Sequence, residues 1–177
     1  MLILVTGGAA SGKSEYAEHL AAELPGSKLW YAATMVHDPD DRETCLRIER
    51  HRQRRAGAGF ETIELPYEAE SLRDIVHPGD TVLLEDLSNL LANEMFTPGR
   101  PAFDSERITG PLLKLHKEGV TVIIVGNRIA EDLPPDTSPE IRQYVTELQK
   151  IQQELAASAD QVVELVCGIP LIIRGDR

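Results

Sequence analysis

The sequence predicts an α/β fold: a mostly parallel sheet with helices on both faces and an antiparallel strand at its C-terminal edge. Three observations predict it. Short apolar runs alternate with segments of helical period along the whole chain. The first run, "LILV", enters a glycine-rich turn and then a helix. The last apolar run, "PLIIR", follows a turn at Gly168 that sends the chain back beside the strand before it.

Strands are expected near Leu2–Thr6, Lys28–Ala32, Thr81–Glu85, Val120–Val125 and Val162–Val166, with Pro170–Arg174 as the antiparallel one. "FETIEL" (Phe60–Leu65) alternates and reads as a further strand. Helices are expected near Lys13–Leu24, Asp41–Arg55, Ala69–Val76, Leu87–Phe96, Ser105–Glu118 and Pro139–Ser158. The last is the clearest. Ser138 suits its N-cap and Pro139 its first position. Ile141, Val145, Leu148, Ile151 and Leu155 form its buried stripe. No repeat or linker divides the chain, so residues 1–177 read as one domain.

Composition narrows the function classes. Hydrophobic residues make up 42% and charged residues 27%, as in soluble globular proteins. No apolar run is long enough to span a bilayer. The N-terminal run lacks a basic flank and leads straight into the glycine loop, so it reads as a core strand, not a signal peptide. Cys45 and Cys167 lack metal-ligand or redox spacing. A cytoplasmic location is expected. The net charge of −11 argues against non-specific nucleic-acid binding. Six of the 18 Lys and Arg residues nevertheless fall between Arg42 and Arg55, which suggests a local anion site.

"GGAASGKS" (Gly7–Ser14) fits the phosphate-loop template, with Gly7, Gly12, Lys13 and Ser14 on its fixed positions. Strand, loop and helix occur in the required order. Loop N–H groups and the helix N-terminus then face an anion. Lys13 would then reach the β and γ phosphates, and Ser14 would bind Mg²⁺. The fold class is therefore a P-loop NTPase-like three-layer sandwich. "TVLLEDL" (Thr81–Leu87) ends a buried strand in Glu85 and Asp86. An acidic residue at such a strand end helps hold Mg²⁺. Glu85 is the better candidate, since the apolar run stops there, and Asp86 suits a helix cap.

"DRETCLRIERHRQRR" (Asp41–Arg55) reads as an exposed basic helix with a thin apolar face at Cys45 and Ile48. Arg47 and His51 share a face, and Arg54 follows three residues on. Surrounding cations favour a neutral imidazole, which is a competent nucleophile. If this helix faces the phosphate loop, His51 is placed to attack a nucleotide phosphorus while arginines hold other phosphates. An incidental histidine on a solvated helix fits the same residues.

Nearly end to end, the chain resembles the bifunctional adenosylcobinamide kinase/adenosylcobinamide-phosphate guanylyltransferase family of cobalamin biosynthesis. "LILVTGGAASGKS", "LWYAATMVHDPDDRETCLRIERHRQRR", "TVLLEDLSNLLANEMF", "VTVIIVGNRI" and "LAASADQVVELVCGIPLIIRG" carry the resemblance. It implies phosphorylation of adenosylcobinamide by a nucleoside triphosphate, then transfer of GMP from GTP to that phosphate through a guanylylated His51. It implies Lys13 as a second catalytic residue. Nucleotide would be held by Gly7, Gly8, Ala9, Ala10, Ser11, Gly12, Lys13, Ser14, Thr34, Arg47, Arg54, Glu64 and Glu85, and Mg²⁺ by Ser14 and Glu85. GTP and ATP are the implied nucleotides, a corrinoid the implied partner, and a homotrimer the implied assembly. The chain departs from the family's usual residues at Ala10, Asp86, Arg128, Val145–Thr146 and Gln149–Gln153. Two other readings fit the motifs: a P-loop kinase for another small alcohol, and a nucleotide-binding relative without catalysis.

Overall fold

The structure, a computed structural model, describes residues 1–24, 26–36, 42, 46, 49, 53, 57–128 and 133–176. Its elements in order are β1 (Leu2–Gly7), α1 (Lys13–Glu23), β2 (Leu29–Ala33), β3 (Phe60–Glu64), a 3-10 helix (Ala69–Asp74), β4 (Thr81–Glu85), α2 (Leu87–Phe96), α3 (Glu106–Lys117), β5 (Thr121–Asn127), α4 (Pro139–Ser158), β6 (Gln161–Val166) and β7 (Ile169–Arg174). The seven strands form one sheet in the order β3-β2-β4-β5-β1-β6-β7. Every neighbouring pair is parallel except β6 and β7. Pro170 lies in β7, an edge strand, where its missing N–H costs no ladder bond on the open side.

Alternate residues of each strand feed two separate cores. Ile3, Val5, Leu83, Ile123, Val125, Val163 and Leu165 face α1, whose Ala17 and Ala21 are fully buried. Leu2, Leu4, Val82, Leu84, Val122 and Ile124 face α2, α3 and α4. A sheet buried on both faces explains why β1, β4 and β5 read as unbroken apolar runs.

Most expected elements occur within a residue or two of their predicted bounds. Two expectations need correction. The segment Ala69–Val76 is a 3-10 helix over six residues, not an α-helix. Ala69 and Leu72 bury at a spacing of three, which suits three residues per turn. Ile141, placed in the buried stripe, is 45% exposed, whereas Val145, Leu148, Ile151 and Leu155 are buried. The length of α4 explains this. Its 20 residues span roughly 30 Å, against about 20 Å for a six-residue strand, so its first turn overreaches the sheet.

The register brings the carboxyl ends of the strands level. Gly7 lies beside Asn127, and Glu64, Ala33 and Glu85 form one row across β3, β2 and β4. Ligands of parallel α/β sheets bind beyond this edge.

Candidate active site

The loop between β1 and α1 is shaped for an anion. Gly7 has no room for a side chain: a Cβ there would lie 2.5 Å from Ser11 Oγ and 2.7 Å from the Leu165 carbonyl oxygen. Gly12 takes a left-handed φ of 91° at the N-cap of α1. This cap offers no side-chain acceptor, whereas Asp86 caps α2 and Ser138 caps α4. The first N–H groups of α1 are thus left for a ligand carrying negative charge. Lys13 is buried, and its ammonium donates to the Gly8 carbonyl at 3.1 Å. Gly8, Ala9 and Ala10 are exposed, and Ser11 is buried.

Ser14 Oγ donates to Glu85 Oε1 at 2.6 Å, joining the start of α1 to the end of β4. Glu85 Oε2 is enclosed and accepts no hydrogen bond among the described residues. Burial, opposed by the Ser14 bond and reinforced by the charges of Asp86 and Glu18, pushes the Glu85 carboxyl up to about 7. A hydroxyl beside an enclosed carboxylate with an open acceptor is an all-oxygen set that fits Mg²⁺, which also takes phosphate and water ligands. Asp86 plays the capping part. Its Oδ1 accepts from Asn89 N–H at 2.7 Å, and its Oδ2 accepts from Asn127 Nδ2 at 3.2 Å.

Thr34 lies at the end of β2 with no exposed surface. Its hydroxyl sits 2.9 Å from the carbonyl oxygens of Glu85 and Asp86 and accepts from Asp86 N–H at 2.7 Å. In this geometry it braces the Glu85–Asp86 corner. Glu64 is exposed at the end of β3, on the same edge as Glu85. His51, Arg47 and Arg54 lie outside the described residues, as do Cys45 and Ile48. Arg42, Leu46, Glu49 and Gln53, from the same segment, are helical and exposed.

Sequence reasoning missed the supports of this corner. Asn93 of α2 donates to the carbonyl oxygens of Thr34 at 2.8 Å and Pro66 at 3.0 Å. Tyr144 donates to the Ser88 carbonyl, and Asn127 N–H donates to Ser88 Oγ. The polar residues of "LSNLLAN" and the Asn127 strand end were the only signals, and neither names a partner. Arg128, a departure from the family pattern, donates through its backbone to the Gly7 carbonyl and through Nη1 to Glu164 at 2.6 Å.

A family model described as cobinamide kinase / cobinamide phosphate guanyltransferase matches residues 3–173. The bifunctional adenosylcobalamin biosynthesis protein CobU of Escherichia coli K12 is 31% identical, over 98% of this chain and 100% of that one. The corresponding CobP of Pseudomonas aeruginosa is 33% identical, over 98% and 97%. Among solved structures, the flagellar accessory protein FlaH of Methanocaldococcus jannaschii aligns with a TM-score of 0.52 at 13% identity, over 99% of this chain and 78% of that one. That likeness concerns the fold alone. With a family match over almost the whole length and an intact phosphate loop facing Glu85, the chain belongs to the cobinamide kinase / cobinamide phosphate guanyltransferase family.

Proposed function

We propose that this chain phosphorylates adenosylcobinamide and then transfers GMP from GTP to the phosphate, with His51 carrying the GMP. One observation carries the reading: Ser14 Oγ donates to Glu85 Oε1 at 2.6 Å beside a phosphate-loop sequence whose helix has no side-chain N-cap. The family supplies the two activities of the reading.

The chain's own groups divide the work. In the first reaction the loop N–H groups and the Lys13 ammonium hold the phosphates of the donor, GTP or ATP, and offset charge as the γ-phosphoryl moves to the acceptor hydroxyl. In the second, neutral His51 attacks the α-phosphorus of GTP. An N–P bond forms, the bond to the β-phosphate oxygen breaks, and pyrophosphate leaves. A phosphate oxygen of the acceptor then attacks the same phosphorus, the N–P bond breaks, and the imidazole is restored. Arg47 and Arg54 neutralise phosphate oxygens during both displacements. Ser14 and Glu85 would hold Mg²⁺, which supplies charge neutralisation on the phosphates. Glu64, on the same edge, is assigned to the nucleotide, as are Gly7–Ser14. Thr34 serves the nucleotide indirectly, through the corner it braces.

The assembly in this reading is a homotrimer. Its support is the exposed apolar surface of the edge strand β7, where Ile169 and Ile173 are 62% exposed and Leu171 44%. A cytoplasmic setting accompanies it, where nucleoside triphosphates are supplied. Among the described residues no helix is long and apolar enough to cross a membrane.

The test uses GTP labelled at the α-phosphate, with Mg²⁺ and a denaturing quench. Acid-labile, base-stable label on the wild type and none on His51→Ala is the expected result. Full guanylyl transfer by His51→Ala overturns the histidine mechanism. No label on a wild type that still binds GTP favours a kinase without the transferase step.

A further inference from the structure

The helix α4 carries a polar face beside its buried stripe. Gln149, Gln152, Gln153 and Ala156 recur at spacings of three and four and so lie together. They form one wall of a groove of about 570 Å³, whose floor is Leu4 and Thr6 of β1 and Val162 of β6. Among the described residues, every side-chain polar group lining it is a carboxamide or the Thr6 hydroxyl, and no lining residue is charged. One wall is fixed in place. Gln152 Nε2 donates to the Asn127 carbonyl at 3.0 Å, leaving its amide oxygen as an acceptor. Its side chain occupies the space above Gly126, 2.8 Å from where a Cβ would stand. The side chains of Gln149 and Gln153 make no hydrogen bond among the described residues.

The groove rises to the phosphate loop. Thr6 precedes Gly7, and its strand neighbours are Gly126 and Glu164. Glu164 holds the Arg128 guanidinium, and Arg128 N–H holds the Gly7 carbonyl. A ligand in the groove thus lies on the sheet face opposite α1, with its upper end at the loop that handles phosphate.

We infer that this groove binds the carboxamide-bearing rim of the corrinoid acceptor, through Gln149, Gln152 and Gln153. The inference rests on the function proposed above and adds the acceptor's place. A charged ligand would lose hydration there without gaining a counter-charge. A carboxamide can exchange one donor and one acceptor with each of Gln149 and Gln153, and can donate to the open Gln152 oxygen. The volume suits one edge of a flat macrocycle, and the acceptor arm reaches the loop past Thr6.

The test is the double variant Gln149→Ala/Gln153→Ala. Both positions are on the helix surface, where alanine is the best helix former. Steady-state KM values for adenosylcobinamide and for GTP are measured, with direct titration of cobinamide against nucleotide-free protein. Loss of two amide pairs should raise the corrinoid KM and Kd about tenfold, with no such rise for GTP. An unchanged corrinoid KM in the variant, beside a wild type that turns corrinoid over, overturns the groove assignment alone. A rise confined to GTP assigns the groove to the nucleotide and also overturns it. A change in sedimenting mass with corrinoid KM unchanged gives the groove to a second copy of the chain. A wild type that accepts GTP but neither binds nor uses corrinoid overturns the function reading, and this inference with it.

Discussion

Glu85 is asked to do two things that conflict when no cation is bound. It ends a buried strand, and in the proposed function it must present a carboxylate. Enclosure pushes its carboxyl from an ordinary 4.5 up to about 7. Between those values the folded protein holds a proton that the unfolded chain has released. Its contribution to stability is therefore complete below about 4.5 and is lost as pH rises through about 7. At about 1.4 kcal/mol per pH unit, the loss is about 3 kcal/mol. Glu85→Gln keeps an oxygen for the Ser14 hydroxyl and carries no charge, so it should not show this loss. The assay is denaturant unfolding in a chelator at pH 5 and pH 8, for wild type and variant, with equal m-values as the check on two-state behaviour. The variant should gain about 3 kcal/mol over wild type on going from pH 5 to pH 8. Other titrating groups cancel in that double difference. With saturating GTP and Mg²⁺ the order should reverse, because bound ligand stabilises the protein that binds it better. Equal pH slopes for the two proteins would refute the argument that enclosure governs this carboxyl.

Two further perturbations separate the loop from the scaffold. Gly7→Ala drives a methyl against Ser11 Oγ and the Leu165 carbonyl, and should cost about 1–3 kcal/mol, with loss of the thermal shift given by GTP and Mg²⁺. Arg100→Met tests the ion pair under α2. Arg100 Nη2 donates to both Glu94 oxygens at 2.8 Å, and Glu94 is 2% exposed. Burial alone would raise the Glu94 carboxyl, but the Arg100 bonds and the Glu68 N–H outweigh it and hold it below the ordinary range. The pair's contribution is thus present above about 4.5 and lost as pH falls through the lowered folded value. Arg107 Nη2, 3.4 Å from Glu94 Oε2, still faces the carboxylate in the variant, so the variant should lose about 1–3 kcal/mol at pH 7, and the deficit should shrink in acid and in Arg100→Met/Glu94→Gln. A deficit that is constant with pH would mean that packing, not charge, sets the loss.

The sequence was most readable where local chemistry fixes a boundary. The bounds of β4, α2 and α4 follow from Asp86 and Ser138, which cap the helices, and from the glycine and proline residues around them. Helical periodicity also placed Val145, Leu148, Ile151 and Leu155 correctly on the buried face of α4. It failed where the answer depends on reach. Ile141 has the right phase to be buried but lies beyond the end of the sheet. The Ala69–Asp74 segment has apolar residues that suit either helix, and its short length decides for the tighter one. For the candidate site, the meeting of the phosphate-loop segment with Glu85 was legible because motif and strand end coincide. The supports from Asn93, Asn127 and Tyr144 were not, since each joins residues far apart in sequence whose meeting depends on register.

Register also explains why the chain ends with a strand that runs against the rest. Cys167 and Gly168 both take positive φ, 50° and 80°, and form the two-residue turn between β6 and β7. That turn does more than reverse the chain. Its Gly168 N–H donates to the Ser11 carbonyl at 2.9 Å, and a Cβ on Gly12 would lie 3.6 Å from Gly168 Cα. Arg128 N–H, from the end of β5, holds the Gly7 carbonyl at the other side of the same loop. Glu85, from β4, meets Ser14 where the loop becomes helix. Three separate strand ends thus fix the loop at its start, middle and finish. Bonds through Gly7 and Ser11 use carbonyl oxygens. They hold the backbone without consuming further loop N–H groups beyond that of Ser11, which donates to the Gly8 carbonyl, so in the proposed function the loop is braced before its ligand arrives.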